Sequence, residues 1–209
     1  MPLRPRHHRL LVVAALLLAQ AGRAAAQSEA EILVAAMQDG GKVIYMRHAA
    51  THQGEVDTGR LGDRAGQRNL SEAGRQQARE IGRAFQVLHI PINEVLASPV
   101  YRARDTAETA FGQTEVTVTM DLVADDYAGT QLRRMLDATR RLLRTSAGPG
   151  MNRILVGHRT PLETVMGRSF PDSVLPEGSM AVFLPGGSSP QLLGTITAER
   201  LVRSADVRR

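Results

Sequence analysis

The chain has no cysteine and no tryptophan, and aromatic residues make up only 3% of it. Without cysteine, a thiolate nucleophile, a cysteine zinc site, a disulfide framework and a lipidated N-terminal cysteine are all excluded. So few aromatics leave little to stack on bases, which argues against a nucleic-acid-binding role. No apolar run reaches the roughly 20 residues that span a bilayer. The longest, Leu10 to Ala19, follows Arg4, Arg6 and Arg9 and precedes small residues ending Ala24-Ala25-Ala26. That order of basic, apolar and A-x-A segments predicts a secretory signal peptide over residues 1–26, cleaved after Ala26. Expected with it are a periplasmic or secreted mature protein without a stable membrane anchor, and one domain over residues 27–209. The leader holds four of the 26 basic residues and none of the 21 acidic ones. The remainder therefore carries 22 against 21, a net +1, and the basic pI is no sign of a nucleic-acid partner.

What is present is an alternation of short apolar runs and amphipathic stretches. Ser28 with Glu31 reads as a capping box opening a helix whose apolar face is Ile32, Leu33 and Ala36. Gly40-Gly41 ends it. Gly41-Lys42 is no phosphate loop, because the spaced upstream glycine is missing. Val43 to Met46 is too short for a helix and reads as a buried strand, with Arg47 and His48 at its end. Residues 52–69 are polar and glycine-rich without apolar period, a stretch placed to cover a site. Ser71 caps a helix carrying Ala78, Ile81, Phe85 and Leu88 on one face, ended by Pro91. Glu94 to Ala97 is a second strand. Ser98 as N-cap and Pro99 as first residue open a helix to Ala110, with Arg102 in its first turn. Val116 to Thr119 is a third strand, residues 121–129 an acidic loop, and residues 132–143 a further amphipathic helix. Ile154 to Val156 is a fourth strand running into Gly157-His158, with Pro161 opening a short helix. Met180 to Leu184 and Leu192 to Thr197 are late strands joined through Pro185-Gly186-Gly187. The alternation predicts an α/β fold, a single domain with a mainly parallel sheet and helices on both faces. Ligands in such sheets bind beyond the carboxyl ends of the strands. Arg47, His48, Arg102 and His158 all lie at such ends. Arginine matches phosphate oxygens with its fork, and histidine is a nucleophile toward phosphorus.

Taken in order, these segments resemble the histidine phosphatase superfamily, the phosphoglycerate-mutase-like fold. Its Arg-His-Gly signature is matched by Arg47-His48-Ala49 with Thr51. Its loop-to-helix segment is matched by Asn69-Leu70-Ser71 with Gly74. Its Ser-Pro-x-x-Arg-Ala segment is matched by Ser98-Pro99-Val100-Tyr101-Arg102-Ala103 with Thr106-Ala107. Its apolar strand ending in histidine is matched by Ile154 to His158. The resemblance implies that His48 takes up the phosphoryl group as phosphohistidine while Arg47, Arg102 and His158 hold its oxygens. It also implies that no metal and no other cofactor is required. Ala49 stands where glycine is usual, and Gly54 where many members have asparagine. The family's glutamate after a Leu-x pair is replaced by Ala124, so Asp125 or the adjacent Asp126 is expected as general acid, with Asp57 and Asp63 next. The expected activity is hydrolysis of a phosphomonoester, on a small phosphorylated substrate or an envelope phosphoester. A non-catalytic phosphate-binding protein and a phosphotransferase or mutase remain as alternatives. His52 and His89 are read as a loop histidine and a surface or capping histidine.

Overall fold

The computed structural model describes residues 29–208; the expected leader, its expected cleavage point and the expected Ser28 cap lie outside them. The chain builds one six-stranded sheet in the order β3-β2-β4-β1-β5-β6. Its strands are β1 (Val43–Arg47), β2 (Ile92–Ala97), β3 (Val116–Val118), β4 (Asn152–Gly157), β5 (Met180–Leu184) and β6 (Gln191–Ile196). β3, β2, β4 and β1 run parallel, whereas β5 is antiparallel to both of its neighbours. The sheet is therefore mainly parallel, as the alternation of elements predicted.

Successive side chains of a strand point to opposite faces, and both faces here are covered. Ile44 and Met46 of β1 join Ile154, Val156 and Val182 on one side. Over them lie α1 (residues 29–38), α2 (Glu72–Val87), α3 (Tyr101–Phe111) and α7 (Ala198–Asp206). Val43 and Tyr45 face the other way, with Leu155, Phe170 and Phe183. That face is covered by α5 (Leu132–Arg144) and α6 (Arg159–Met166). A short helix, α4 (Asp125–Ala128), lies within what read as an acidic loop over residues 121–129. Among the described residues no helix is long and apolar enough to cross a membrane.

Three local readings are corrected. The buried stripe of α1 is Ala30, Leu33, Val34 and Met37, and Ile32 is 65% exposed. Helix phase, not apolarity alone, decides which residues turn inward. Ser98 is not the cap of α3: Val100 occupies the N-cap without a side-chain bond, and Ser98 lies between strand and helix. The C-terminal helix α7 was not apparent, since its stripe of Ala198, Leu201 and Ala205 is thin. His89, exposed with φ +52, closes α2 in the left-handed conformation.

Candidate active site

The register of the central strands sets the site. Arg47 of β1 lies opposite Gly157 of β4, so His48 and His158 leave the sheet side by side. Ala97 of β2 lies opposite Val156, which brings Ser98 and the start of α3 to the same edge. The two imidazole rings are 5.6 Å apart between centroids, tilted at 55°. Arg47, His48, Arg102 and His158 are all under 9% exposed.

The position of each ring follows from its partners. His48 Nδ1 lies 2.9 Å from the carbonyl oxygen of Ala49. A carbonyl can only accept, so Nδ1 carries the hydrogen and Nε2 keeps its lone pair. His158 is held at its backbone by Tyr45. Its N–H donates to the Tyr45 oxygen at 3.0 Å, and the Tyr45 hydroxyl donates to its carbonyl at 2.9 Å. Gly157 makes room for this clamp, since a Cβ there would stand 2.4 Å from the Tyr45 oxygen. His158 Nε2 is 2.8 Å from Ser98 Oγ, which also accepts the Val100 N–H. In the tautomer in which the serine hydroxyl donates to Nε2, the hydrogen sits on Nδ1 and is a free donor.

Burial, followed by the nearby Arg102 guanidinium, pushes both histidines well below their ordinary value. Arg47 and Arg68 act on both rings in the same direction. Both imidazoles are therefore neutral at pH 7. Arg68 was not anticipated from the sequence; its only signal is its place just before Asn69-Leu70-Ser71.

The arginines are anchored by carboxylates at their rims. Arg102 Nη1 donates to both oxygens of Asp57, at 3.0 and 2.9 Å. Asp57 also accepts from the Tyr127 hydroxyl at 2.6 Å and from Arg68 N–H at 2.9 Å. Burial raises the Asp57 carboxyl, but these donors outweigh it and hold it below the usual range. A carboxylate so held is a poor proton donor and a good tether, so residues 52–69 are pinned over the site. Asp63 accepts from Gly66 N–H and caps a turn of that segment. Arg47 donates to Asp172 and to the Leu175 carbonyl. Glu177 accepts from Thr51 N–H and hydroxyl at 3.1 and 2.8 Å. Its Oε1 lies 3.9 Å from Arg47 Nη2, 3.7 Å from Arg68 Nη2 and 4.0 Å from His48 Nδ1. Neither Asp172 nor Glu177 was apparent in the sequence, because both come from the loop before β5.

Among the described residues six buried side-chain polar atoms have no partner: Nε of Arg47, Arg68 and Arg102, Nδ1 of His158, Asn69 Oδ1 and Ser179 Oγ. Buried donors in native proteins are normally paired. A set of unpaired donors around neutral His48 is a site for an anion with several acceptor oxygens.

Of the two expected acids, Asp125 is half-buried and Asp126 exposed. Burial, with the neighbouring Asp126 charge, raises the Asp125 carboxyl, and Arg102 partly offsets this. Ala49 does not crowd the pocket. Its methyl packs with Leu70 and Ala78, and its N–H donates to Thr106 Oγ1 at 2.9 Å. Gly74 keeps the start of α2 against this turn, where a Cβ would lie 1.9 Å from the Ala50 oxygen.

The sequence model of the histidine phosphatase superfamily (branch 1) matches residues 43–125, from the first residue of β1 to the first of α4. No curated protein matches the chain in sequence. Among solved structures, the fold is similar to the protein histidine phosphatase SixA complexed with tungstate. The TM-score is 0.53 and the identity 16%, covering 77% of this chain and 99% of that one. It is similar also to the Rv3214 product of Mycobacterium tuberculosis, with TM-score 0.51 and 19% identity over 76% and 98% of the two chains. A third is a phosphoserine phosphatase variant from Entamoeba histolytica in complex with phosphoserine. There the TM-score is 0.50 and the identity 14%, over 77% and 98%. Identities this low speak for the fold alone. The histidine phosphatase superfamily model thus matches the segment that carries His48, Arg102 and Asp125, and the fold, shared with these structures, brings His158 beside His48.

Proposed function

We propose that the protein is a metal-independent phosphomonoesterase working through a phosphohistidine on His48. The observation that carries this reading is the ring of unpaired donors on Arg47, Arg68, Arg102 and His158 around a neutral His48. His48 Nε2 attacks phosphorus, the N–P bond forms, and the bond to the ester oxygen breaks. Charge gathering on the phosphoryl oxygens is met by donors already in place, which is the main source of rate in phosphoryl transfer. Asp125, whose carboxyl burial and the neighbouring Asp126 charge raise, is assigned the proton given to the departing oxygen. As carboxylate it then takes a proton from the water that attacks phosphorus. The N–P bond breaks, and inorganic phosphate leaves.

The guanidinium groups supply the positive charge that a metal ion supplies in other phosphatases. The leader over residues 1–26 favours exported or envelope phosphoesters as substrates. The test is single turnover of His48→Ala on a chromogenic phosphomonoester, followed by a panel including sugar phosphates and lipopolysaccharide fragments. Loss of turnover in a folded variant is expected. Substantial residual activity would remove the nucleophile from the scheme. Phosphate release without an acceptor separates hydrolysis from mutase chemistry, and a binder gives no release.

A further inference from the structure

Glu177 has no part in the scheme above, yet its carboxylate sits at the meeting point of the pocket's cations. Its Oε1 is within 4.0 Å of His48 Nδ1, Arg47 Nη2 and Arg68 Nη2 at once. The placement is built. Thr51 donates twice to the carboxylate. The Glu177 carbonyl accepts from Gln77 Nε2 at 3.1 Å, and the other end of the same amide accepts Ala50 N–H at 3.0 Å. Gly178 N–H donates to the His48 carbonyl at 2.8 Å, and Ser179 accepts Arg47 N–H at 2.9 Å. Gly178 takes φ +81, with Gln77 filling the space a side chain would need. Residues 177–179 are thus tied to the exit of β1 and cannot drift from it.

A carboxylate in a pocket meant for an anion repels that anion, so its presence calls for a role. The reaction itself supplies one. His48 Nδ1 keeps its hydrogen on the Ala49 carbonyl. When Nε2 bonds to phosphorus, both ring nitrogens are substituted and the ring becomes a cation. It forms among Arg47, Arg68 and Arg102, all of which oppose a positive ring, and beside the neutral His158. Asp57 is engaged with Arg102 and Tyr127, and Asp172 with Arg47 and Arg159. Glu177 is the carboxylate that reaches the ring's protonated side.

We infer that Glu177 is a positioning residue for His48 that balances the charge of the phosphorylated ring, making phosphohistidine accessible in an otherwise cationic pocket. The inference rests on the phosphohistidine reading. It also explains why the carboxylate approaches Nδ1 and is kept from Nε2, where it would meet the incoming phosphoryl group.

The test is rapid-quench measurement of the phosphoenzyme in wild type, Glu177→Gln and Glu177→Asp, with a nitrophenyl phosphate substrate. Glu177→Gln keeps the shape and an acceptor for Thr51 but removes the charge. It should slow phosphorylation of His48 at least tenfold and lower the steady-state phosphoenzyme fraction. KM for the ester should fall or hold steady, as one negative charge has left the pocket. Glu177→Asp, with its charge drawn back by one methylene, should slow phosphorylation about threefold. Equal losses in both variants would mean that shape, not charge, matters, and would overturn the inference. So would unchanged or faster phosphorylation in Glu177→Gln, the behaviour of a carboxylate that only repels substrate. If Glu177→Gln does not fold, Glu177→Asp decides, and a wild-type rate there overturns it. Absence of any phosphoenzyme in wild type would defeat the function reading and this inference together. A normal phosphoenzyme in both wild type and Glu177→Gln would defeat the inference alone.

Discussion

Tyr45→Phe removes one oxygen from a fully buried residue of β1, and should cost far more than the atom's size suggests. The hydroxyl satisfies both the N–H and the carbonyl of His158. In the variant both groups stay buried, facing a ring edge. Leaving a buried donor or acceptor unpaired costs about 1–3 kcal/mol. Two such groups give a loss of about 2–6 kcal/mol, and a central value near 4 kcal/mol corresponds to a drop in Tm of about 8–16 °C for a domain of this size. A single-oxygen void in an apolar layer is a poor place for a replacing water. The functional effect follows from the same geometry, because the clamp fixes His158 beside His48. Loosening it should lower kcat at least tenfold, since small misplacements of reacting groups are strongly felt. Urea denaturation gives the stability change, and single-turnover kinetics gives the rate. A loss under about 0.5 kcal/mol with kcat unchanged would refute the reasoning, leaving Tyr45 as a packing residue only.

Asp125→Asn should be slow on alkyl phosphates and near wild type on nitrophenyl phosphate, whose leaving group needs little protonation; exposed Asp126→Asn should match wild type on both. If Asp125→Asn is wild type on both classes, the acid lies elsewhere. Wild-type activity should also favour the acid side of neutrality, because His48 stays neutral below its ordinary value while Asp125 stays protonated above its own. For stability, His48 and His158 are held neutral when folded but bind protons near 6.5 when unfolded. Stability should therefore fall as pH drops below about 6.5, by about 1.4 kcal/mol per pH unit for each histidine. His158→Gln should halve that slope between pH 6 and 5, and an unchanged slope would count against it. EDTA should leave turnover nearly unchanged; a large loss restored by zinc or magnesium would reassign the chemistry.

The strands and their ends were legible in the sequence because their signals are local. Val43 to Met46 and Ile154 to Val156 are apolar runs too short for helices, and the arginine and histidines that follow them dislike burial. The order of strand and helix dictated a parallel sheet, and a parallel sheet brings strand ends to one edge. Hence Arg47, His48, Arg102 and His158 were legible as a set. Asp125 was legible only as one of two adjacent acids, and burial separates them.

Tertiary structure alone decided how these groups are held. Asp57 meets Arg102 across 45 residues of chain, and Thr51 meets Glu177 across 126. Ser98 reads locally as a helix cap, yet the strand register places it against His158, 60 residues away. No local pattern encodes such pairs: a lone loop glutamate or arginine has the same composition whether solvated or aimed into a pocket. Ile32 shows the same limit in the core, since its apolarity was plain but its outward phase depends on where α1 docks. The sequence by itself determined which chemistry-bearing groups reach the sheet edge. The packing of loops over that edge decided which of them stay charged, which stay neutral, and which donors remain free for a phosphate.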